Sequence, residues 1–139
     1  MKRLKMAVVG AGVMGQNHAR TIAECDSTEL AAIIDLNEQL GRQVADQFGV
    51  KYCKTVDEAL EDASIQAYSV VLPDRLHVDA TSKLLLNGKP VLLEKPMADT
   101  LEGAKKIAEA AEKGNARLMV AQIMRFDPRY ERAAQAIRT

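Results

Sequence analysis

The sequence predicts an α/β domain, a doubly wound parallel sheet of six strands in the order 3-2-1-4-5-6 with helices on both faces. Three observations predict it. Short apolar runs alternate with helix-like stretches along the whole chain. The runs are apolar at successive positions rather than at alternate ones, as strands covered by helices on both sides require. Parallel strands joined by helices cross over right-handed, which leaves few arrangements once the strands are counted.

The first strand is residues 4–9 (LKMAVV), stopped at Gly10, and a helix-like mix of Ala, Arg, Ile and Glu follows over residues 17–24. Residues 29–35 (ELAAIID) form the second strand and end in an acid. Residues 51–53 read as a short third strand, followed by Thr55-Val56-Asp57-Glu58. That tetrad has the form of a capping box, in which the threonine hydroxyl accepts the third helical N–H and the glutamate reaches back to the threonine. Residues 66–72 (QAYSVVL), rich in branched and aromatic side chains, are the fourth strand. Residues 75–87 form a helix with Leu76, Ala80 and Leu84 on one stripe and Thr81 and Leu85 beside it, closed by Gly88. Residues 90–93 (PVLL) are the fifth strand, stopped by Glu94-Lys95-Pro96. Asp99-Thr100-Leu101-Glu102 opens a helix that runs to Lys113 and closes at Gly114. Residues 117–121 are the sixth strand, and Asp127-Pro128 reads as a cap followed by proline at the first helical position, with the last helix running to Thr139.

Composition narrows the function classes. The chain has 139 residues, 19 basic and 19 acidic side chains, 47% apolar residues, two cysteines and no tryptophan. This is one domain's length, with enough apolar residues to bury a core. Balanced charge, no basic block and few aromatic rings give no basis for nucleic-acid binding. No apolar run approaches the ~20 residues of a membrane span. Lys2, Arg3 and Lys5 precede an apolar run in the manner of a short secretory leader, but glycines interrupt the run and no small-residue cleavage site follows. Cys25 and Cys53 stand apart, with no CxxC and no histidine cluster. They are expected to be free thiols of a cytoplasmic protein, with no metal site.

Gly10-Ala11-Gly12-Val13-Met14-Gly15 fits G-x-G-x-x-G, following a strand and opening a helix. In that setting the pattern is a Rossmann dinucleotide fingerprint. Gly10 permits the tight turn, Gly12 lets a pyrophosphate approach the backbone, and Gly15 lets helix and strand pack closely. Unpaired N–H groups at the helix start favour the phosphate charge. Asp35 stands twenty residues after Gly15 at the end of the second strand, where a carboxylate accepts both ribose hydroxyls and repels a 2′-phosphate. NAD is therefore expected in preference to NADP. The following residues, Leu36, Asn37 and Glu38, bring no cation, and Arg42 lies one helical turn further on. The alternative for Asp35 is a helix cap. A nucleoside-dependent methyltransferase shares the glycine-loop-plus-acid plan and is the competing class, and a dinucleotide-binding sensor without catalysis is another.

The later segments are more specific. Leu72-Pro73-Asp74-Arg75-Leu76-His77 follows the fourth strand, Gly88-Lys89-Pro90-Val91-Leu92-Leu93-Glu94-Lys95-Pro96-Met97-Ala98 spans the fifth, and Arg125-Phe126-Asp127-Pro128 follows the sixth. With the glycine loop, they resemble the glucose–fructose oxidoreductase, inositol dehydrogenase and rhizopine-catabolism (Gfo/Idh/MocA) family over nearly the whole chain. The resemblance implies an NAD(P)-binding domain of an oxidoreductase that transfers hydride to or from a hydroxyl or carbonyl of a sugar, cyclitol or nucleotide sugar. It implies cofactor contacts from Gly10, Gly12, Val13, Met14, Gly15, Asp35 and its neighbour Leu36, Leu72, Pro73, His77, Glu94 and Lys95. Lys95 is the residue usually given a catalytic role in this family, and His77 is a second catalytic candidate. Family members continue into a second α/β domain that supplies the substrate pocket. Residues 1–139 are accordingly expected to be one dinucleotide-binding domain that binds cofactor without turnover. Its uncovered face is expected to favour a homodimer.

A lysine at the end of a buried strand, beside a nicotinamide, would be partly desolvated and able to take a proton from an alcohol. The Lys95–Pro96 bond is a candidate for the cis form. The alternative is a solvated Glu-Lys-Pro turn. His77 either faces the nicotinamide or caps its helix. His18, one turn after Gly15, is expected to pack or hydrogen-bond only. Arg125 and Phe126 are expected at a domain interface, and Met6, Met97, Met119 and Met124 as core filler.

Overall fold

The computed structural model describes residues 3–138. Lys2 of the leader-like stretch and Thr139 at the end of the last helix lie outside the described residues. Six parallel strands form one sheet in the order β3-β2-β1-β4-β5-β6. In chain order the elements are β1 (Leu4–Val9), α1 (Val13–Glu24), β2 (Thr28–Ile34), α2 (Glu38–Phe48), β3 (Lys51–Cys53), α3 (Val56–Leu60), β4 (Ala67–Val70), α4 (His77–Leu86), β5 (Val91–Leu93), α5 (Leu101–Lys113), β6 (Leu118–Val120) and α6 (Pro128–Arg138).

Successive strand residues point to opposite faces, so β1, β2 and β4 feed two cores. Ala7 and Val9 of β1 join Ile34, Tyr68, Leu93, Leu84 and Ile107 beneath α3, α4 and α5. Met6 and Val8 join Ile33, Ala19, Ile22 and Val44 beneath α1 and α2. Burial on both faces is why the strands lack a polar alternation. The β6 edge is thinner. Met119 is exposed, and no residue of α6 is buried.

Several local expectations are refined. The first helix begins at Val13, four residues before the helix-like composition does, because the glycine loop itself supplies its first turn. The helix α2, undelimited in the sequence reading, is capped by the Asn37 side chain accepting from Leu40 N–H and ended by Gly49 at φ 65°. Thr55 accepts from Glu58 N–H as expected, but the Glu58 carboxylate reaches Lys54 N–H at 2.7 Å instead of Thr55. Leu76 belongs to a 3-10 turn, Asp74–Leu76, so it leaves the stripe formed by Thr81, Leu84 and Leu85 and is exposed. Gly88 ends α4 at φ 71°. Gly114 ends α5 at a right-handed φ of −82°, and its role is close approach, since a Cβ there would lie 1.8 Å from Leu85 O.

Candidate functional site

The carboxyl ends of β1, β2, β4 and β5 meet along one edge of the sheet, where ligands of open α/β folds bind. Gly10 leaves β1 at φ 107°, a conformation costly for any other residue, and its N–H donates to Ile34 O at 2.8 Å. A Cβ on Gly10 would lie 2.3 Å from Val71 O, and one on Gly15 would lie 1.9 Å from Gly10 O. Both glycines are therefore demanded by packing. Gly12 is different: a Cβ there meets nothing within 4 Å. It is the N-cap of α1, has no side chain to cap the helix, and no acid occupies the first turn. The first-turn N–H groups lack helical partners, and Val13 and Met14 in that turn are exposed. This fits a phosphate.

Asp35 is half-buried directly after β2. Its Oδ2 accepts Ala11 N–H at 2.7 Å and its Oδ1 accepts Asn37 N–H at 2.8 Å. Each carboxylate oxygen retains acceptor capacity for a hydroxyl. The cap on α2 is Asn37, so Asp35 is no helix cap. Behind it, Tyr52 donates its phenol O–H to Asp35 O at 2.9 Å. Gly41 makes room for this ring, since a Cβ would lie 2.4 Å from it. Burial, then the nearby Glu38 carboxylate, pushes the Tyr52 phenol up from its ordinary value. Arg42 is occupied by Glu38 Oε1 at 2.9 Å and by the Tyr52 ring at 4.9 Å. Tyr52 and Gly41 carry no motif, and their part in holding Asp35 was not legible in the sequence.

Beside Asp35 opens a cavity of about 310 Å³ walled by Val9, Ile34, Leu36, Leu72, Leu76 and Ala80. Apolar walls with a carboxylate at the rim suit a flat aromatic base joined to a sugar. Leu36 and Leu76, exposed in themselves, are explained by this cavity.

The other half of the edge carries His77, Glu94 and Lys95. His77 is 1% exposed, with Nδ1 2.9 Å from Pro96 O and Nε2 2.8 Å from Leu72 O. It ties the segment after β4 to the turn after β5, and neither ring nitrogen is open to a ligand. Pro73 lies exposed between them in sequence. Glu94 is 7% exposed; its Oε1 lies 3.2 Å from His18 Nε2 and its Oε2 accepts Lys95 N–H at 2.9 Å. Lys95 directly follows it and is exposed, and the Lys95–Pro96 bond is cis. Arg125 and Phe126 are exposed, Phe126 strongly, and Met119 and Met124 are exposed rather than core.

Among the described residues, no group of three or more His, Cys, Asp or Glu is placed to hold a metal ion. No described helix is long and apolar enough to cross a membrane. Cys25 and Cys53 are free thiols. Burial pushes the Cys53 thiol up, and the Ser27 hydroxyl lowers that of Cys25.

Residues 4–122 match the family model described as an oxidoreductase family with an NAD-binding Rossmann fold, GFO_IDH_MocA. The chain is 33% identical over 138 residues to the rhizopine catabolism protein MocA of Rhizobium meliloti, covering 99% of this chain and 43% of that protein. It is 31% identical to a scyllo-inositol 2-dehydrogenase (NAD(+)) of Bacillus subtilis, covering 97% and 40%. Among solved structures it superposes on GenD2 from gentamicin A biosynthesis in complex with NAD, with a TM-score of 0.91, 30% identity, and coverage of 98% of this chain and 39% of that one. The scyllo-inositol dehydrogenase of Lactobacillus casei with bound NAD(H) and scyllo-inositol gives a TM-score of 0.88 at 27% identity, covering 98% and 41%. The chain thus spans about two-fifths of the length of these relatives.

Proposed function

The chain belongs to the Gfo/Idh/MocA oxidoreductase family and has its NAD-binding Rossmann fold, and from that premise we propose that it is the cofactor-holding part of a dehydrogenase acting on a sugar, cyclitol or nucleotide sugar. This membership displaces the methyltransferase alternative. One observation carries the cofactor reading: the Asp35 carboxylate is bonded to Ala11 N–H, so ribose acceptor and phosphate loop form a single rigid unit.

In this reading the N–H groups of the α1 start hold the pyrophosphate. Asp35 accepts the adenosine ribose hydroxyls, and the cavity between Leu36, Leu72 and Leu76 takes the base. Leu72 and Pro73 border the nicotinamide half, with His77 positioning them from beneath. The bound nicotinamide supplies hydride acceptance and donation. Lys95 is the catalytic residue: its Nζ takes the hydroxyl proton as the substrate C–O bond becomes a carbonyl, and returns it in reduction. The substrate pocket lies outside residues 1–139, in a second domain of the kind that the greater length of the relatives accommodates. The chain by itself binds cofactor without turnover, in the cytoplasm. The exposed apolar side chains of Met119, Ile123, Met124, Phe126, Tyr130 and Ile137 support self-association as a homodimer.

Calorimetric titration tests the cofactor reading. NAD is expected to bind and NADP more weakly, because Asp35 repels a 2′-phosphate. Absence of heat with both dinucleotides at millimolar concentration overturns it. Robust NADH formation from polyols by this chain overturns the assignment of the substrate pocket elsewhere. Light scattering that gives a monomer over a wide concentration range removes the dimer.

A further inference from the structure

The histidine of the glycine-loop helix has a more particular arrangement than packing requires. His18 Nδ1 lies 2.8 Å from Ser69 Oγ, and its Nε2 lies 3.2 Å from Glu94 Oε1. Ser69 is wholly buried on β4 and Glu94 is nearly so at the end of β5. Three elements distant in sequence, α1, β4 and the β5 turn, therefore meet in one short chain of polar side chains.

The donors follow from chemistry. A carboxylate accepts only, so Nε2 must carry a proton. The hydroxyl of Ser69 can give or take, so Nδ1 is free to be either acceptor or donor. In the neutral ring, Ser69 O–H donates to Nδ1, Nε2–H donates to Oε1, and Lys95 N–H donates to Oε2. In the charged ring, the Ser69 hydroxyl turns and accepts from Nδ1–H, and every group remains paired. The network thus accommodates either charge without moving a heavy atom. Glu94 is the charged side chain paired with the ring, while β1 and β2, which also pack on α1, present Val8 and Ile33. Lys5 and Glu29 pair with each other at the opposite end of their strands.

We propose that His18 is a positioning residue that sets the net charge of the Glu94 side of the cofactor cleft, and so tunes discrimination between oxidised and reduced nicotinamide dinucleotide by pH. The inference rests on the NAD reading above. The two redox forms differ in charge at the nicotinamide ring alone. An ionised Glu94 beside neutral His18 favours the positive, oxidised ring; a protonated His18 cancels that charge and the preference fades. A charge effect on the pyrophosphate acts on both forms alike and drops out of their ratio.

The test is the ratio of NADH to NAD dissociation constants, measured by calorimetry on this chain from about pH 5 to about pH 8, where histidine changes charge. The expected result is a ratio that rises with pH by about three- to tenfold, as one charge acting across a partly wet site allows. His18→Gln is expected to flatten the profile, and Glu94→Gln to abolish the preference at every pH. Nitrogen NMR of the unaltered chain gives a readout free of folding effects: at high pH His18 is expected in the Nε2–H tautomer. A ratio independent of pH, a His18→Gln profile like that of the parent, or an Nδ1–H tautomer overturns the proposal while leaving the cofactor reading intact. Failure to bind either redox form at any pH removes the cofactor reading, and this inference with it.

Discussion

Asp35 Oδ2 accepts the Ala11 N–H at 2.7 Å, joining the end of β2 to the middle of the glycine loop. The carboxylate proposed to hold the ribose is therefore also a structural strut of the glycine loop. Asp35→Ala removes the acceptor of two backbone N–H groups, and hydrogen bonds to a charged group contribute roughly 1.5–3 kcal/mol each at most in such settings. The expected loss is about 2 kcal/mol of stability by urea denaturation, together with at least about a tenfold loss of NAD affinity, since one such bond is worth about that much. Asp35→Asn keeps one oxygen acceptor and is expected to fall between. An Asp35→Ala chain of unchanged stability would show that the strut contributes nothing.

The glycines of the loop separate folding from binding. Gly12 sits at φ −65°, open to any residue, and a Cβ there meets no atom within 4 Å. Gly12→Ala is expected to cost about 0.5–1 kcal/mol, because alanine is a poorer N-cap than glycine. It is also expected to weaken NAD binding markedly, because the methyl enters the space assigned to the pyrophosphate. Gly15→Ala places a Cβ 1.9 Å from Gly10 O and forces the α1 start away from β1. The expected cost is at least about 2 kcal/mol, typical of overpacking against backbone. Thermal melts and calorimetry on the two variants check both statements; equal stability losses would refute the distinction.

The sheet order and the glycine-loop-plus-Asp35 unit were legible in the sequence because both depend on local signals, namely apolar run length, a glycine triplet and an acid at a strand end. The partners of His18 were not, since Ser69 and Glu94 lie 51 and 76 residues away and meet it only through the strand order. Tyr52 was illegible for the same reason: its hydroxyl reaches from β3 to Asp35 O at the end of the neighbouring strand β2. Leu76 was misplaced in the buried stripe because a 3-10 turn rotates it off the face that α-helical spacing assigns. The limits of α2 could have been found from Asn37 and Gly49, which are ordinary start and stop residues.

Tyr68 gives the fold an alkaline limit. It is wholly buried on β4 and donates its phenol O–H to Ala59 O at 3.1 Å. Burial, then the Asp62 carboxylate, pushes its pKa up to about 12 from the ordinary tyrosine value of 10.0. Between those values the native state keeps a proton that the unfolded chain has released, so stability is complete below about pH 10 and declines toward about pH 12. Tyr68→Phe is expected to cost about 1 kcal/mol at neutral pH for the lost hydrogen bond, and to flatten the alkaline decline. Urea melts at about pH 8, 10 and 11 check the slopes, which follow from the tyrosine reference value; parallel declines in parent and variant would place the cause elsewhere.

His77 joins the two segments proposed to flank the nicotinamide half, with Leu72 O at 2.8 Å and Pro96 O at 2.9 Å from its ring nitrogens. A neutral ring has one N–H and donates one of these bonds; a charged ring donates both. His77→Ala removes every donor, leaves two carbonyls beside a cavity in a buried site, and deletes most of a fully buried ring. The expected cost is about 3 kcal/mol, combining an unsatisfied polar group with lost packing. Because the tie spans two loops rather than one core layer, the effect is also local: hydrogen exchange is expected to quicken around Leu72 and around Met97 before it does in β1. NAD affinity is expected to fall with it, since Leu72 and the Glu94–Pro96 turn lose their fixed spacing. A His77→Ala chain with parental exchange rates in both segments would show that the ring holds neither.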